Sequence, residues 1–309
     1  MSRSTLRGAF TETLLDIARR DKTVHALATD SRGSVTLGDF AKELPEQFVE
    51  CGIAEQDAVG IAAGLANAGL RPFVCGPACF FSMRSAEQVK VDVAYSHMNV
   101  KIVGVSGGVS YGALGSTHHS TQDIALMRAI PGLEVYIPSD ANQMRSLTRY
   151  LAQSDSPAFV RVGRGAVEDI YPESADFTPG KAAKLVSGTD GAIIACGETV
   201  CQAAAAAETL RGEGISLSVY DMFTIKPLDT EAILEAAQTG TVFTVEEHSL
   251  YGGLGGAVSE YLSQNRPTRV KILALPDEKV YTGTSAQVFA HYGLDASGIA
   301  KTVREVLNK

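Results

Sequence analysis

One carboxylate, two adjacent imidazoles and two arginines stand at the ends of short apolar runs in this chain. The carboxylate is Glu55, within Gly52-Ile53-Ala54-Glu55-Gln56-Asp57. Ala58, Ile61, Ala62 and Leu65 then make one helical face, so Glu55 falls at a helix start just past a strand. The helix dipole alone would favour a carboxylate there as a simple cap. The same place suits a working acid, because α/β folds gather ligands at the carboxyl ends of strands. The imidazoles close Val103–His119, a β-run opening into a loop with Gly104, Gly107, Gly108, Gly112 and Gly115 and ending in His118-His119. Glycine permits positive φ and close approach of backbone to a ligand. A mobile connector with solvated histidines is the plainer alternative; the paired His after a buried strand favours a site. Arg161 and Arg164 flank a strand end in an acidic protein, which suits a phosphate clamp as well as it suits two surface ion pairs. A fourth stretch, Glu246-Glu247-His248 followed by Tyr251–Gly256, carries glycines that fit helix-start packing as readily as phosphate binding. No Gly-x-x-x-x-Gly-Lys-Ser/Thr loop occurs, which argues against a P-loop nucleotide site.

The elements that must hold these groups alternate between β-rich and helical runs, the signature of parallel sheets wrapped by helices. The first half reads as strands at Val24–Thr29, Phe48–Glu50, Phe73–Cys75, Val100–Ser106 and Ala158–Val162. Its helices read at about Leu6–Arg19, Gln56–Ala68, Ser85–Ser96, Gln122–Arg128 and Ala141–Ala152. Asp169–Lys184, with Pro172, Pro179 and Gly180 and few large apolar residues, reads as a linker. The alternation then restarts, with strands at Gly191–Cys196, Ser216–Tyr220, Thr241–Val245 and Val270–Ala274. Helices follow at Val200–Arg211, Asp229–Ala237, Gly253–Gln264 and Ala296–Leu307. The expected fold is α/β, two three-layer domains at 1–168 and 185–309 with 169–184 between them. A length of 309 residues agrees with two domains at roughly 150 residues each.

Composition narrows the function classes. The charge of 27 − 35 = −8 argues against a nucleic-acid binder. No apolar run approaches the ~20 residues of a membrane span. Met1–Leu6 lacks the apolar core of a secretory signal. The five cysteines, 51, 75, 79, 196 and 201, sit among apolar neighbours. Cys75 and Cys79 as a metal pair is the weaker reading beside buried small hydrophobes in a reducing cytoplasm.

Four motifs together resemble the transketolase group of thiamine-diphosphate enzymes. Val49–Gln56 is similar to the glutamate motif of that group, and Thr117-His118-His119 to its Thr-His-Gln loop. Asp221–Asp229 and Val245–Gly256 resemble its last domain, shared with the β subunit of 2-oxo-acid dehydrogenases. The resemblance spans nearly the whole chain and implies a pyrimidine-binding domain followed by a transketolase C-terminal domain. The Gly-Asp-Gly…Asn motif that holds Mg²⁺ and the diphosphate is absent from the 309 residues. The chain therefore looks like the carboxy-terminal half of a split transketolase. That implies an amino-terminal partner subunit holding Mg²⁺, an α2β2 assembly, and self-association through the pyrimidine domain.

Carried over position by position, the resemblance makes Glu55 the residue that hydrogen-bonds the coenzyme pyrimidine and sets up ketol transfer between sugar phosphates. Burial among Ile53, Ala54 and Ala58 is expected to outweigh the helix start in setting its proton affinity. Ile53, Phe81 and Asp30 are implied cofactor contacts, with Phe81 packing on the ring and Phe80 plain core. His118 is implied at the ketose hydroxyls as a proton shuttle. Arg164, the weaker Arg161, Arg84, Ser34 and His119 are implied substrate contacts, Arg84 through a substrate anion. Three departures stand out: Leu114 replaces an acid, Ser106 replaces a His, and His119 replaces a Gln. They imply a branched, shortened or sulfonated sugar, as in split transketolases acting on apulose 4-phosphate. A 2-oxo-acid dehydrogenase β subunit and a regulatory subunit without chemistry are the competing expectations; Thr117-His118 opposes the first and Glu55 with His118 the second.

Overall fold

The computed structural model describes residues 3–308; Met1 and Ser2, part of the stretch read above for a secretory core, lie outside them. In the first half, β1 (Arg3–Thr5) runs into α1 (Leu6–Ala18), whose start is capped by the Thr5 hydroxyl accepting from the Gly8 N–H at 3.2 Å. There follow β2 (Val24–Ala28), α2 (Gly38–Glu43), β3 (Phe48–Glu50), α3 (Glu55–Asn67), β4 (Arg71–Pro77) and α4 (Ala78–Met83). A short α5 (Ala86–Gln88) continues as a π-helical stretch over Val89–Tyr95. Then come β5 (Lys101–Val105), α6 (Asp123–Arg128), β6 (Glu134–Tyr136), α7 (Ala141–Gln153), β7 (Ala158–Val162) and β8 (Ala166–Glu168). The second half holds β9 (Ala183–Val186), β10 (Gly191–Ala195), α8 (Thr199–Gly212), β11 (Leu217–Asp221) and β12 (Thr224–Lys226). It closes with α9 (Thr230–Ala236), β13 (Thr241–Ser249), α10 (Leu254–Asn265), β14 (Arg269–Leu275), α11 (Ser285–Tyr292) and α12 (Ala296–Leu307).

Two largely parallel sheets result, ordered β12-β6-β7-β5-β4-β2-β3 and β14-β13-β10-β11-β9, so the α/β expectation holds. Every residue of β5, β7 and β10 is buried, which is why these strands read as continuous apolar runs rather than alternating ones. Strand alternation divides the first sheet into two faces. Phe73, Val103 and Val160 pack under α1 and α7, while Val74, Ile102 and Phe159 face α3 and the second half. Ile194, Met222, Ile225 and Ile233 belong to that same apolar cluster, so the halves share one core.

The halves are also joined by backbone. β12 leaves the second half and pairs antiparallel with β6, extending the first sheet by one strand. The segment read as a linker is no loose tether: Tyr171 packs edge-on to Phe177 at 4.7 Å, and Phe177 on Phe223 at 5.8 Å. Its end, Ala183-Lys184, is already β9, paired antiparallel with β11. Proline and glycine content signalled irregular backbone there but not where three aromatic rings would pack.

Candidate active site

Glu55 is the first residue of α3 and only 2% exposed. Gly52, at φ +71°, turns the chain out of β3, and Ala54 sits at the cap position without a side-chain bond, leaving the helix start open to the carboxylate. Arg84, just beyond α4, donates from Nη1 to Glu55 Oε2 at 2.7 Å. Its guanidinium lies 4.3 Å over the Phe80 ring. Arg84 was expected to reach a substrate anion; in this chain its partner is Glu55, while nearly half of its side chain stays open to solvent. Phe81 is fully buried in the shared core, and Phe80, expected to be core, is the ring on the rim. A six-residue helix turns neighbouring side chains about 100° apart, so the Phe80-Phe81 pair could only put one ring outward. Ile53 is 76% exposed at the same rim.

From Phe80 the site continues as a file of stacked groups. The His118 ring lies edge-on to Phe80 and to Tyr111, each at 5.3 Å between centroids. Arg164 lies 4.3 Å over the other end of the file, the Tyr111 ring, and donates to Ser106 Oγ at 3.3 Å. The file Arg84, Phe80, His118, Tyr111, Arg164 thus links the Glu55 carboxylate to a cationic end. The loop carrying it is a 3₁₀ turn over Gly112–Thr117, broken at Gly115 (φ +67°), where a Cβ would meet Thr282 Oγ1 at 2.5 Å. His118 Nδ1 pairs with Thr117 Oγ1 at 2.9 Å. His119 is buried, and neither of its ring nitrogens has a hydrogen-bond partner among the described residues. Burial, and next the neighbouring His118, lower its proton affinity, which favours the neutral ring. It borders an open hollow of about 420 Å³ together with Cys79, Phe80, Met83, Arg84 and Thr117.

At the cationic end the structure adds Arg7, which sequence reasoning missed. Arg7 Nη1 donates to the Ser34 backbone oxygen at 2.8 Å, and its buried Nε has no partner among the described residues. Burial, and next the charge of Arg164, lower its proton affinity. Two cations that repel one another, beside Ser34 and Ser106, make a place that a dianion would relieve. Asp30 is exposed at φ +54° and Ser106 buried at φ +63°, both in a backbone region that costs non-glycine residues energy. The Asp30 N–H donates to Glu50 Oε1 at 2.7 Å, tying the β2 loop to the strand before Glu55. Tyr111 was missed as well. A lone tyrosine among glycines carries no sequence signal for which rings it will meet.

Arg161, read as a second phosphate ligand, is elsewhere. It is 3% exposed, inside the seam between the halves, 3.5 Å from Asp123 and 3.3 Å from Glu247, and it donates to the Glu247 carbonyl at 2.7 Å. Arg161 is within β7, whereas Arg164 lies past the strand end, and that three-residue offset separates core from rim. Glu246 accepts from the Leu254 and Gly255 N–H groups at 2.7 and 2.8 Å, so this glycine stretch is helix-start packing. Burial raises the proton affinity of Glu247 and Glu198, with Arg161 opposing both. All five cysteines are free; Cys75 and Cys79 are buried, and burial lifts Cys79 to about 11. Among the described residues no group of three or more His, Cys, Asp or Glu is arranged to hold a metal, and no helix is long and apolar enough to cross a membrane.

The doubly joined pair of α/β sheets, with a buried glutamate at the carboxyl edge of the first, defines a class that comparison makes specific. Residues 2–169 match the transketolase pyrimidine-binding domain and residues 180–299 the transketolase C-terminal domain. The chain belongs to the transketolase family. It is 59% identical over 305 residues to an apulose-4-phosphate transketolase subunit of Phocaeicola vulgatus, covering 98% of this chain and 97% of that one. It is 36% identical to the 6-deoxy-6-sulfo-D-fructose transketolase subunit SqwH of a Clostridium species, over 98% and 95% of the two chains. A solved split-gene transketolase, described as an inactive β4 tetramer, superposes with a TM-score of 0.90 at 34% identity, covering 98% of both chains. The chain spans about half of 1-deoxy-D-xylulose-5-phosphate synthase 1 of Geobacter sulfurreducens, at 40% identity. These relatives do not favour a 2-oxo-acid dehydrogenase subunit.

Proposed function

We propose that this chain is the carboxy-terminal subunit of a split transketolase, moving a two-carbon ketol unit from a ketose phosphate to an aldose acceptor. The observation that carries the reading is Glu55, a carboxylate buried at a helix start and held by Arg84 beside an open, apolar-edged rim. Thiamine diphosphate, when bound, supplies the carbon nucleophile and the electron sink for cleaving a bond beside a carbonyl. The residues here fit its pyrimidine end. Glu55 Oε holds and exchanges a proton with the ring nitrogen, Arg84 fixes the carboxylate, and Ile53 and Phe80 exclude water. Phe81 backs the rim from the core. His118, edge-on to the Phe80 and Tyr111 rings, holds or passes a proton on a ketose hydroxyl, and His119 lines the hollow beside Phe80 and Arg84. Arg164, Arg7 and Ser34 bind the sugar phosphate.

We assign the diphosphate and Mg²⁺ to an amino-terminal partner chain, in an α2β2 assembly. The inactivity of the solved relative as a β4 tetramer supports the need for such a partner. Exposed Ile53, Ile61, Met83, Val91 and Tyr95, on elements that pack together around α3, offer the apolar face for self-association of the pyrimidine domain. Leu114, 46% exposed on the His118 loop, puts an apolar group where an acid would bind hydroxyls, which supports a branched ketose of the apulose 4-phosphate kind. Five free thiols suit a reducing cytoplasm. The test mixes the chain with its amino-terminal partner, thiamine diphosphate and Mg²⁺ and assays a ketose phosphate panel. Ketol transfer only by the mixture is expected; transfer by the chain alone would overturn the split.

A further inference from the structure

Tyr111 joins the cationic end of the file to its imidazole: the ring meets both the Arg164 guanidinium and the His118 imidazole. It is also held by backbone, since its carbonyl accepts from the Leu114 N–H at 3.0 Å at the start of the Gly112–Thr117 turn. That turn packs directly on the second half: a Cβ at Gly112 would overlap the Gly283 carbonyl oxygen, and the Ser116 hydroxyl donates to the Val280 carbonyl at 3.2 Å. The ring is therefore fixed in a loop clamped from both halves. Among the described residues Arg164 has one hydrogen bond, the 3.3 Å contact with Ser106, so stacking on Tyr111 is what sets the plane of its guanidinium. A cation over an aromatic face is attracted by the ring quadrupole, which favours one orientation of a long side chain.

We infer that Tyr111 is a specificity-determining positioning residue: by fixing Arg164 and His118 relative to each other, it sets the span between the sugar phosphate and the ketose hydroxyls. The inference rests on the phosphate role of Arg164 and the hydroxyl role of His118 proposed above. A span held by a rigid ring selects sugar phosphates by length, because a phosphate one carbon too near or too far cannot meet the guanidinium in plane while its hydroxyls meet His118. The aromatic ring carries the effect, and the hydroxyl does not.

The experiment measures kcat and KM of the chain assembled with its amino-terminal partner, using four-, five- and six-carbon ketose phosphates. Tyr111→Phe is expected to stay within twofold of the parent for every sugar. Tyr111→Leu, which keeps bulk and removes the π face, is expected to raise KM for the preferred sugar about tenfold with kcat changed less than threefold. It should also shrink the kcat/KM ratio between the preferred sugar and its neighbours in length. Should Tyr111→Leu fail to assemble, Arg164→Lys, which keeps the charge and loses the flat stack, is expected to give the same loss of length selection. Proton NMR of the chain alone supplies a readout independent of turnover: the ring-current shift of the His118 imidazole is kept in Tyr111→Phe and reduced in Tyr111→Leu. An unchanged KM for Arg164→Ala overturns the phosphate reading and this inference with it. A raised KM for Arg164→Ala beside unchanged KM and length selection in Tyr111→Leu overturns this inference alone.

Discussion

The rim around Glu55 and the seam between the halves are built from the same side-chain types, carboxylates and guanidinium groups, under opposite conditions. In the seam, Arg161 is enclosed by Asp123 and Glu247 and a backbone carbonyl, and Asp221 Oδ2 accepts from Ser139, Tyr171 and Gln143 at 2.7–3.0 Å, while Asp221 Oδ1 has no partner among the described residues. At the rim, Arg84 meets Glu55 with half its side chain open, Arg164 stacks with one long hydrogen bond, and Arg7 Nε and both His119 nitrogens have no partner among the described residues. An unpartnered atom therefore occurs in both regions, but Asp221 Oδ1 is closed inside the seam, whereas His119 borders an open hollow that a ligand could enter. The difference teaches that charge type does not identify a site, whereas the number of unused donors and acceptors facing a cavity does.

The sharpest way to break this contrast is Glu55→Gln. Assembled with its partner, the variant is expected to lose about 10³-fold or more in kcat while its melting temperature stays within a few degrees. Retained kcat would remove the carboxylate from the mechanism. Next, Arg161→Met strands Glu247 and Asp123 in the seam and is expected to cost about 3–5 kcal/mol in urea unfolding, with KM little changed in the protein that folds. A raised KM with unaltered stability would return Arg161 to the substrate site.

The seam also predicts a pH dependence. Burial raises the Asp221 carboxyl from its ordinary 3.8 to about 6 against the pull of its three donors. The stability tied to that proton is fully present below pH 3.8 and is lost as pH rises through about 6, up to about 3 kcal/mol. Asp221→Asn is expected to flatten that part of the stability profile, read by denaturation between pH 4 and 8; an unchanged slope would place the titration elsewhere. The smallest effect belongs to the rim: Arg164→Ala is expected to raise KM for a phosphorylated ketose about 10-fold or more, with unfolding midpoints unmoved. A fall in stability instead would make Arg164 a second seam arginine.

Several of these positions were legible from residue order alone. Gly-Ile-Ala-Glu, between a β-run and an apolar helical face, placed Glu55 at the head of α3, because that alternation has few ways to fold. The glycine-rich run to His118 announced a loop near a ligand. Residue order assigned Phe81 to the cofactor and Phe80 to the core, but which ring faces the rim was decided only where α4 packs on α3 and α6. Arg161 and Arg164 read alike because both stand at the end of the same strand, and only the depth of that strand in the seam tells them apart.

By itself, then, the sequence determined the local rules: periodicity of 2 and 3.6, helix starts, glycine turns and the ordered motifs of one family. Those depend on neighbours along the chain. Tertiary structure decided what lies far apart in number: β12 joining the first sheet, Asp221 meeting Tyr171, Arg7 reaching Arg164, and Tyr111 standing between Arg164 and His118. Such pairs cost the same to write at any separation, and only the packing of the shared core brings their atoms within range of one another.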